Sequence, residues 1–133
     1  VEHSFGNCPQ YISLRDWSLA RDPAKSEGFP APLEIDPANP WVTAMIAAAD
    51  TFFVASYIDD ESGRHVDASH RGGKPGFVRS NADGSLTIPD FAGNLHFNTL
   101  GNFLINPKAG LVFADFATGD LLQLTGEAEV VLD

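Results

Sequence analysis

The chain has few cations and a single cysteine. Eight Lys and Arg residues stand against eighteen Asp and Glu residues in 133, which gives a net charge of −10. Affinity for DNA or RNA depends mainly on cationic contacts to phosphate, so this balance argues against nucleic acid and against an anionic membrane surface as partners. The lone Cys8 cannot form an internal disulfide. This fits a reducing compartment, and we expect a cytoplasmic protein.

Long apolar runs are also missing from the sequence. No stretch approaches the roughly 20 residues that span a bilayer, and no signal-peptide pattern opens the chain. Hydrophobic residues still make up 44% of the sequence, with ten Phe among them, so we expect one domain with a substantial core. The chain opens on Val1 and closes on Asp133 directly after a strand-like run. We therefore expect it to be a piece of a longer polypeptide.

The first 38 residues differ from the rest in composition. They contain five of the nine prolines, and they predict an irregular arm, 1–38, that ends a longer upstream region, with a short strand or turn near 11–14. The remaining residues, 39–133, predict a single domain. Asn39 followed by Pro40 is typical of a helix N-cap with proline at the first helical position, and it predicts a helix that runs to residue 49.

Turn signals and short apolar runs divide the rest of the domain. The apolar run 51–58 predicts a strand that is buried on both faces or lines a barrel, paired in a hairpin with 65–70. A second hairpin is predicted for 77–79 and 86–88 around an Asp-Gly turn. Helical spacing follows between 93 and 106, and then two strands, 111–116 and 121–131. Six hairpin-joined strands with one or two helices predict a mainly β fold, a small antiparallel barrel.

Half of the cations lie close together in this acidic chain. Four of the eight fall within sixteen residues, interleaved with three glycines, Ser69 and His70; they are Arg64, Arg71, Lys74 and Arg79. Glycine lets the backbone approach a ligand closely, and cations beside open N–H groups suit a phosphate or carboxylate. The alternative is a charged hairpin tip in water.

A second polar cluster lies at the start of the second predicted helix. Its uncharged amides and hydroxyls can bind phosphate or the edge of a heterocycle, or the cluster can simply cap the helix and form turns. The cluster comprises Asp90, Gly93, Asn94, Asn98, Thr99, Gly101 and Asn102.

Other chemistries find little support in the sequence. His65, Asp67 and His70 have the spacing of a metal site, but an extended strand places His70 on the opposite face from the other two. The G-x-S-x-G, Walker A and G-x-G-x-x-G motifs are absent. No side chain stands out as an acid, base or nucleophile, so we assign no catalytic residue and no metal ligand.

The order of several short motifs resembles a known family. DASHRGGKPGF (67–77), PDFAGN (89–94), TLGN (99–102), NPKAGL (106–111) and LQLTGEA (122–128) follow one another as in pyridoxamine 5′-phosphate oxidase-like proteins. The opening FGNCPQYI (5–12) resembles a branch whose members can be fused to a ferredoxin-reductase-like module. The resemblance covers nearly the whole chain.

The resemblance implies an FMN-binding split β-barrel, antiparallel and Greek-key-like, that forms a homodimer with FMN between the subunits. The implied activity is that of a flavin-dependent oxidoreductase with an unknown substrate and a reductase module or electron-transfer partner. The alternative is a non-catalytic module for flavin or haem binding, or for dimerisation. By resemblance, Arg71 would meet the FMN phosphate and Gln123 would lie near the isoalloxazine ring. The full set of implied FMN contacts is Asp67, Ala68, Ser69, His70, Arg71, Lys74, Asn94, Asn98, Thr99, Asn102 and Gln123.

Two departures from the family pattern limit what the resemblance implies. Asn98 and Thr99 stand where the oxidases carry an Arg-Lys pair, so the phosphate charge would rest on Arg71 and Lys74. The segment that grips pyridoxal phosphate in the oxidases has no counterpart here. The resemblance therefore implies FMN binding without implying vitamin B6 oxidation.

Overall fold

A computed structural model describes residues 12–19, 22–25, 31–91 and 97–132. Two α-helices and six strands follow a short 3-10 turn, Pro23–Lys25. The helices are α1, Pro40–Ala48, and α2, Asn98–Ile105. The strands are β1, Thr51–Asp60; β2, Gly63–Gly72; β3, Arg79–Ser80; β4, Leu86–Thr87; β5, Lys108–Ala114; and β6, Leu121–Glu127. The predicted mainly β class is confirmed, and no described helix is long and apolar enough to cross a membrane.

Two long hairpins make up the main sheet. Strands β1 and β2 form the first, β5 and β6 form the second, and antiparallel pairing of β1 with β5 joins them in the order β2-β1-β5-β6. Strands β3 and β4 form a separate two-stranded sheet. Among the described residues β2 and β6 are the two edges of an open sheet. The finer prediction of a split barrel therefore stays a prediction.

One face of the main sheet carries the hydrophobic core. Phe52 of β1 lies opposite Phe113 of β5, which lies opposite Leu122 of β6, so the three side chains share a face. The Phe52 and Phe113 rings stack with centroids 5.1 Å apart. Helix α1 adds Val42 and Ile46 to the same cluster. Burial of this apolar area is the main force that holds the helices and the β3–β4 hairpin on this face.

The opposite face of the sheet is open, which corrects one prediction. Strand β1 was expected to be buried on both faces or to line a barrel. Burial on both faces is wrong, because Phe53 is 46% exposed and Ala55 is also exposed, while Phe52 and Val54 are buried. The run is apolar on both sides, yet the described chain covers only one of them. This open face, the side of the sheet away from α1 and α2, is important for the site described below.

Local signals fix the first helix and only part of the second. The Asn39 side chain accepts a hydrogen bond from the Trp41 N–H at 2.9 Å, and Pro40 occupies the first turn, as predicted. Helix α2 has Phe97 at its N-cap, without a side-chain capping bond, and it ends where Asn106 begins an extended segment. Residues 92–96, where part of this helix was predicted, lie outside the described residues.

Two predicted strands differ from those observed. The last strand was expected to reach residue 131, but β6 ends at Glu127, which pairs with Lys108, the first residue of β5. One further backbone bond, from the Ala128 N–H to the Pro107 carbonyl at 2.7 Å, follows the last strand pair. The strand or turn expected near 11–14 is irregular in the part that the structure describes, from Ile12 onward.

Candidate functional site

The predicted FMN-contacting residues on β2 divide between the two faces of the sheet. Side chains alternate along a strand, and residues directly opposite each other in an antiparallel pair share a face. Ser69 lies opposite Val54 and Arg71 opposite Phe52, so these two, with Asp67, lie on the core face. Ala68 and His70 lie on the open face. The residues therefore form two groups rather than one continuous row.

On the core face, two hydroxyls and a carboxylate form a chain of hydrogen bonds. The Ser69 Oγ and Thr99 Oγ1 atoms are 2.9 Å apart. The Thr99 hydroxyl donates to Asp67 Oδ2 at 2.6 Å, and Thr99 is only 3% exposed. Since Thr99 lies in the first turn of α2, these bonds fix the start of the helix against β2. Together they form the hydroxyl cluster, Asp67, Ser69 and Thr99.

Arg71 lies on the same face, two residues beyond Ser69. Its Nη1 atom donates to Asp90 Oδ1 at 3.0 Å, and its side chain is 14% exposed. A guanidinium with so little exposure requires an anion nearby, and Asp90 supplies one. Lys74 is exposed in the loop that follows β2. That loop is held at Gly73, whose N–H donates to the Asp50 carbonyl at 3.0 Å.

The other two cations of the predicted cluster lie in separate hairpins. Arg64 forms an ion pair with Asp59 at 2.8 Å near the β1–β2 turn. Arg79 of β3 donates to the side-chain oxygen of Asn81 at 3.1 Å. Proximity in sequence therefore overstated the cluster, and its remaining members are Arg71, near the end of β2, and Lys74, in the loop that contains Gly73.

The helix residues of the predicted site have different surroundings. Asn98 is exposed at the first position of α2. Asn102, one turn later, donates to the Oγ of Ser56 at 3.0 Å, and Ser56 is buried in β1. Asn102 thus satisfies a buried hydroxyl, which is a structural role. Asn94 lies outside the described residues.

On the open face, His70 and Gln123 lie in one row across four strands. His70 pairs with Phe53, Phe53 with Val112, and Val112 with Gln123. The His70 imidazole meets the Phe53 ring edge-on, with centroids 5.8 Å apart. Burial lowers the pKa of His70, and the positive charges of Arg15 and Arg71 lower it further against the opposing effect of Asp50. The lowered pKa favours the neutral form of the imidazole.

The next row along the open face carries only small side chains. Ala68 pairs with Ala55, Ala55 with Gly110, and Gly110 with Thr125. A shallow depression of about 510 Å³ follows this row. It is bordered by Ala55, Tyr57, Val66, Lys108, Thr125 and Glu127.

The three residues with the spacing of a metal site, His65, Asp67 and His70, have different hydrogen-bond partners. His65 Nε2 lies 2.8 Å from Ser62 Oγ and 3.0 Å from Asp60, whereas His70 Nε2 lies 3.4 Å from Thr51 Oγ1. Asp67 accepts from Thr99. Across the described segments, no group of three or more His, Cys, Asp or Glu side chains is placed to hold a metal ion.

Sequence reasoning missed two features around these residues. Phe53 was assigned to a strand that is buried on both faces or lines a barrel, and its exposure beside His70 was not predicted. Arg15 was assigned only to the arm, yet it forms an ion pair with Asp50 next to the Gly73 loop. The Phe52-Phe53 pair, with one ring on each side of a strand, was the available signal for the first. No local pattern signals the second.

Comparisons with protein-family models, with curated proteins and with solved structures found no match to this chain.

Proposed function

We propose that this chain is an FMN-binding module of a flavin-dependent oxidoreductase related to the pyridoxamine 5′-phosphate oxidases. The observation that carries the proposal is that Arg71 shares one face of β2 with Asp67 and Ser69, which bond to Thr99 in the first turn of α2. Two hydroxyls and a guanidinium on one face of β2, beside a helix N-terminus, suit a phosphate group. The order of the sequence motifs supports the same ligand.

The start of α2 has further capacity for an anion. Phe97 at the N-cap provides no side-chain acceptor for the first backbone N–H groups, and the helix dipole favours negative charge there. Asp67 and Asp90 accept hydrogen bonds from Thr99 and Arg71. A phosphate must therefore compete with two carboxylates, and the dianionic phosphate of FMN is a stronger competitor than a carboxylate.

The residues of the open face suit the flavin ring. Phe53 and Val112 present apolar surface between His70 and the amide of Gln123. An isoalloxazine ring needs such a surface together with a few hydrogen-bonding groups at its edge. When bound, the flavin would supply the electron transfer, while these side chains bind and orient it.

The division between the two faces fits a cofactor shared between subunits. In the resembled family FMN lies between two protomers of a homodimer. We propose the same arrangement here, with one protomer contributing the hydroxyl cluster and Arg71, and the other contributing the row from His70 to Gln123. A second protomer would also cover apolar side chains that the open face leaves exposed, among them Phe53, Val66 and Leu121.

The same exposed side chains favour a second candidate function, a dimerisation or ligand-binding module without redox activity. The two candidates differ in what happens to bound flavin. A catalytic module accepts electrons from a nicotinamide nucleotide or a reductase, and a passive module does not.

The test is the visible absorbance spectrum of the purified protein after FMN is added and excess FMN is removed by gel filtration. The proposal expects a flavin spectrum that elutes with the protein at the size of a dimer. Bleaching of that spectrum by NADPH or a flavin reductase identifies the oxidoreductase, and retention without bleaching identifies the passive module. A protein that retains no FMN overturns the proposal.

A further inference from the structure

Residues 12–19 lie against the domain without regular secondary structure, and most of their large apolar side chains are exposed. Leu14 is 99% exposed and Trp17 is 84% exposed, and Ile12 and Leu19 are exposed as well. Burial of apolar area therefore contributes little to the attachment of this segment, which we call the strap.

Polar contacts attach the strap at one place. The Arg15 guanidinium forms an ion pair with Asp50, which directly follows the C-cap of α1. It also lies 3.6 Å from the centroid of the Phe116 ring, in the turn between β5 and β6. Partial burial raises the pKa of Asp50, but hydrogen bonds from Arg15 and Ser13 and the charge of Arg15 lower it overall. Arg15 is thus the strap residue that pairs with this carboxylate.

This attachment point adjoins the end of the open face that carries His70. Thr51 Oγ1 lies 3.5 Å from Arg15 Nη2 and 3.4 Å from His70 Nε2. The backbone carbonyl of Asp50 also accepts from the Gly73 N–H. Arg15, His70 and the loop after β2 therefore meet around two consecutive residues, Asp50 and Thr51.

We propose that the strap is a gate over His70, latched by Arg15 on Asp50 and opened by the loss of that one contact. Partly exposed ion pairs and cation–π contacts are individually weak and are screened by salt, so the latch opens without unfolding the domain. In the latched form Arg15 lies against Thr51, whose hydroxyl contacts the Nε2 side of the imidazole. In the open form the Nε2 side of His70 becomes more accessible, beside Phe53, which is already exposed. The gate concerns access to His70 and holds whether or not flavin binds.

The experiment compares the rate at which diethylpyrocarbonate modifies His70 in the parent protein and in Arg15→Gln. The reagent attacks neutral imidazole, and peptide mass spectrometry follows His65 in the same sample as an internal reference. We expect His70 to be modified about fivefold faster in Arg15→Gln, because a fivefold change corresponds to the loss of one partly exposed ion pair. The rate at His65 should not change.

Arg64→Gln is the matched control. Arg64 also pairs with an aspartate, Asp59, and lies 4.2 Å from the centroid of the Tyr57 ring, but it stays within its own hairpin. We expect no change in His70 modification in this variant. An unchanged His70 rate in Arg15→Gln, or an equal rise in both variants, overturns the gate.

A second measurement avoids substitution altogether. Hydrogen exchange of residues 12–19 in the parent protein should accelerate when salt is raised from about 0.05 to about 0.5 M, because screening weakens the latch. Amides of β1 should not change. Exchange in the strap that is independent of salt also overturns the proposal.

Discussion

Thr99 of α2 and Asp67 of β2 are joined by a hydrogen bond of 2.6 Å that fastens the start of the helix to the edge strand of the sheet. The same threonine hydroxyl lies 2.9 Å from Ser69 Oγ, so one nearly buried side chain satisfies two strand residues. Any ligand that enters here must exchange partners with this hydroxyl. The cluster is therefore structural as it stands, and the proposed anion would have to replace one of these internal bonds.

Replacing Thr99 with Val tests the structural part of this description. The substitution keeps the volume but removes the hydroxyl, and it leaves Asp67 and Ser69 without that partner. We expect a loss of about 1–3 kcal/mol in the free energy of unfolding, measured by urea denaturation. Thr125→Val, on the exposed face of β6, is the control and should change stability little. Equal effects of the two substitutions would contradict this role for Thr99.

Gly73 is predicted to be intolerant of any side chain. A Cβ atom there would lie 2.6 Å from Cγ of Phe77, whose ring packs against Phe52 at 5.9 Å and cannot move without disturbing the core. We expect Gly73→Ala to cost about 1–3 kcal/mol in thermal or urea unfolding. Gly126→Ala is the control, since nothing lies within 4 Å of a Cβ atom at that position. If the two variants are equally stable, the ring of Phe77 does not pack closely against Gly73.

Asp60 gives the hairpin tip a defined pH response. Hydrogen bonds from the hydroxyl and N–H of Ser62, and then from His65, lower the pKa of Asp60 from 3.8 to about 2. A carboxyl whose pKa is lower in the folded state stabilises the fold above pH 3.8, and this contribution is lost as the pH falls from 3.8 through about 2. A ¹³C NMR titration of the carboxyl carbon measures the value directly.

Ser62→Ala should move the pKa of Asp60 back toward its ordinary value, because it removes the largest of these bonds. Ser85→Ala is the control: Ser85 makes the same two bonds to Asp83 in another turn, where they lower the pKa of Asp83. Each substitution should therefore shift only its own aspartate. If the pKa of Asp60 is the same in Ser62→Ala and in the parent protein, this assignment is wrong.

The Arg71–Asp90 pair predicts opposite effects of two substitutions on FMN affinity. Arg71→Ala removes a charged hydrogen bond and should weaken binding by about 1.5–3 kcal/mol, or roughly 10- to 150-fold in Kd. Asp90→Asn removes the carboxylate that competes for the guanidinium and should tighten binding. Fluorescence titration of FMN measures both. Arg79→Ala, outside the proposed site, is the control for loss of positive charge, and a loss equal to that of Arg71→Ala would mean a non-specific charge effect.

The sequence predicts best what depends on neighbours along the chain. Asn39 and Pro40 alone predict the start of α1. The β1–β2 hairpin is predicted by a turn between two strand-like runs. The exposure of Phe53 could not be predicted, because an apolar strand does not indicate which of its faces the rest of the chain will cover. That depends on packing between segments far apart in sequence.

The candidate site shows the same limit. Period two already places Ser69 and His70 on opposite faces of a strand, so the division of the site could be read from the sequence. Which of the two faces lies beneath α2 could not, because the contacts that decide it join residues 32 positions apart, in Thr99–Asp67, and 19 apart, in Arg71–Asp90. The four cations fell together in sequence, but two of them are held by their own turns.

The order of the strands also has a consequence for how the chain acquires its structure. Each long hairpin closes over a short loop, whereas the pairing of β1 with β5 brings together residues as distant as Phe52 and Phe113. Closing that larger loop lowers the conformational entropy of the chain before the core contacts that stabilise the sheet have formed. We therefore expect the two hairpins to form early and independently, and the pairing of Phe52 with Phe113 to limit the rate of folding. Substitution of Phe52 or Phe113 by a smaller apolar residue should slow refolding. Substitutions at Tyr57 or Leu121 should leave the refolding rate nearly unchanged.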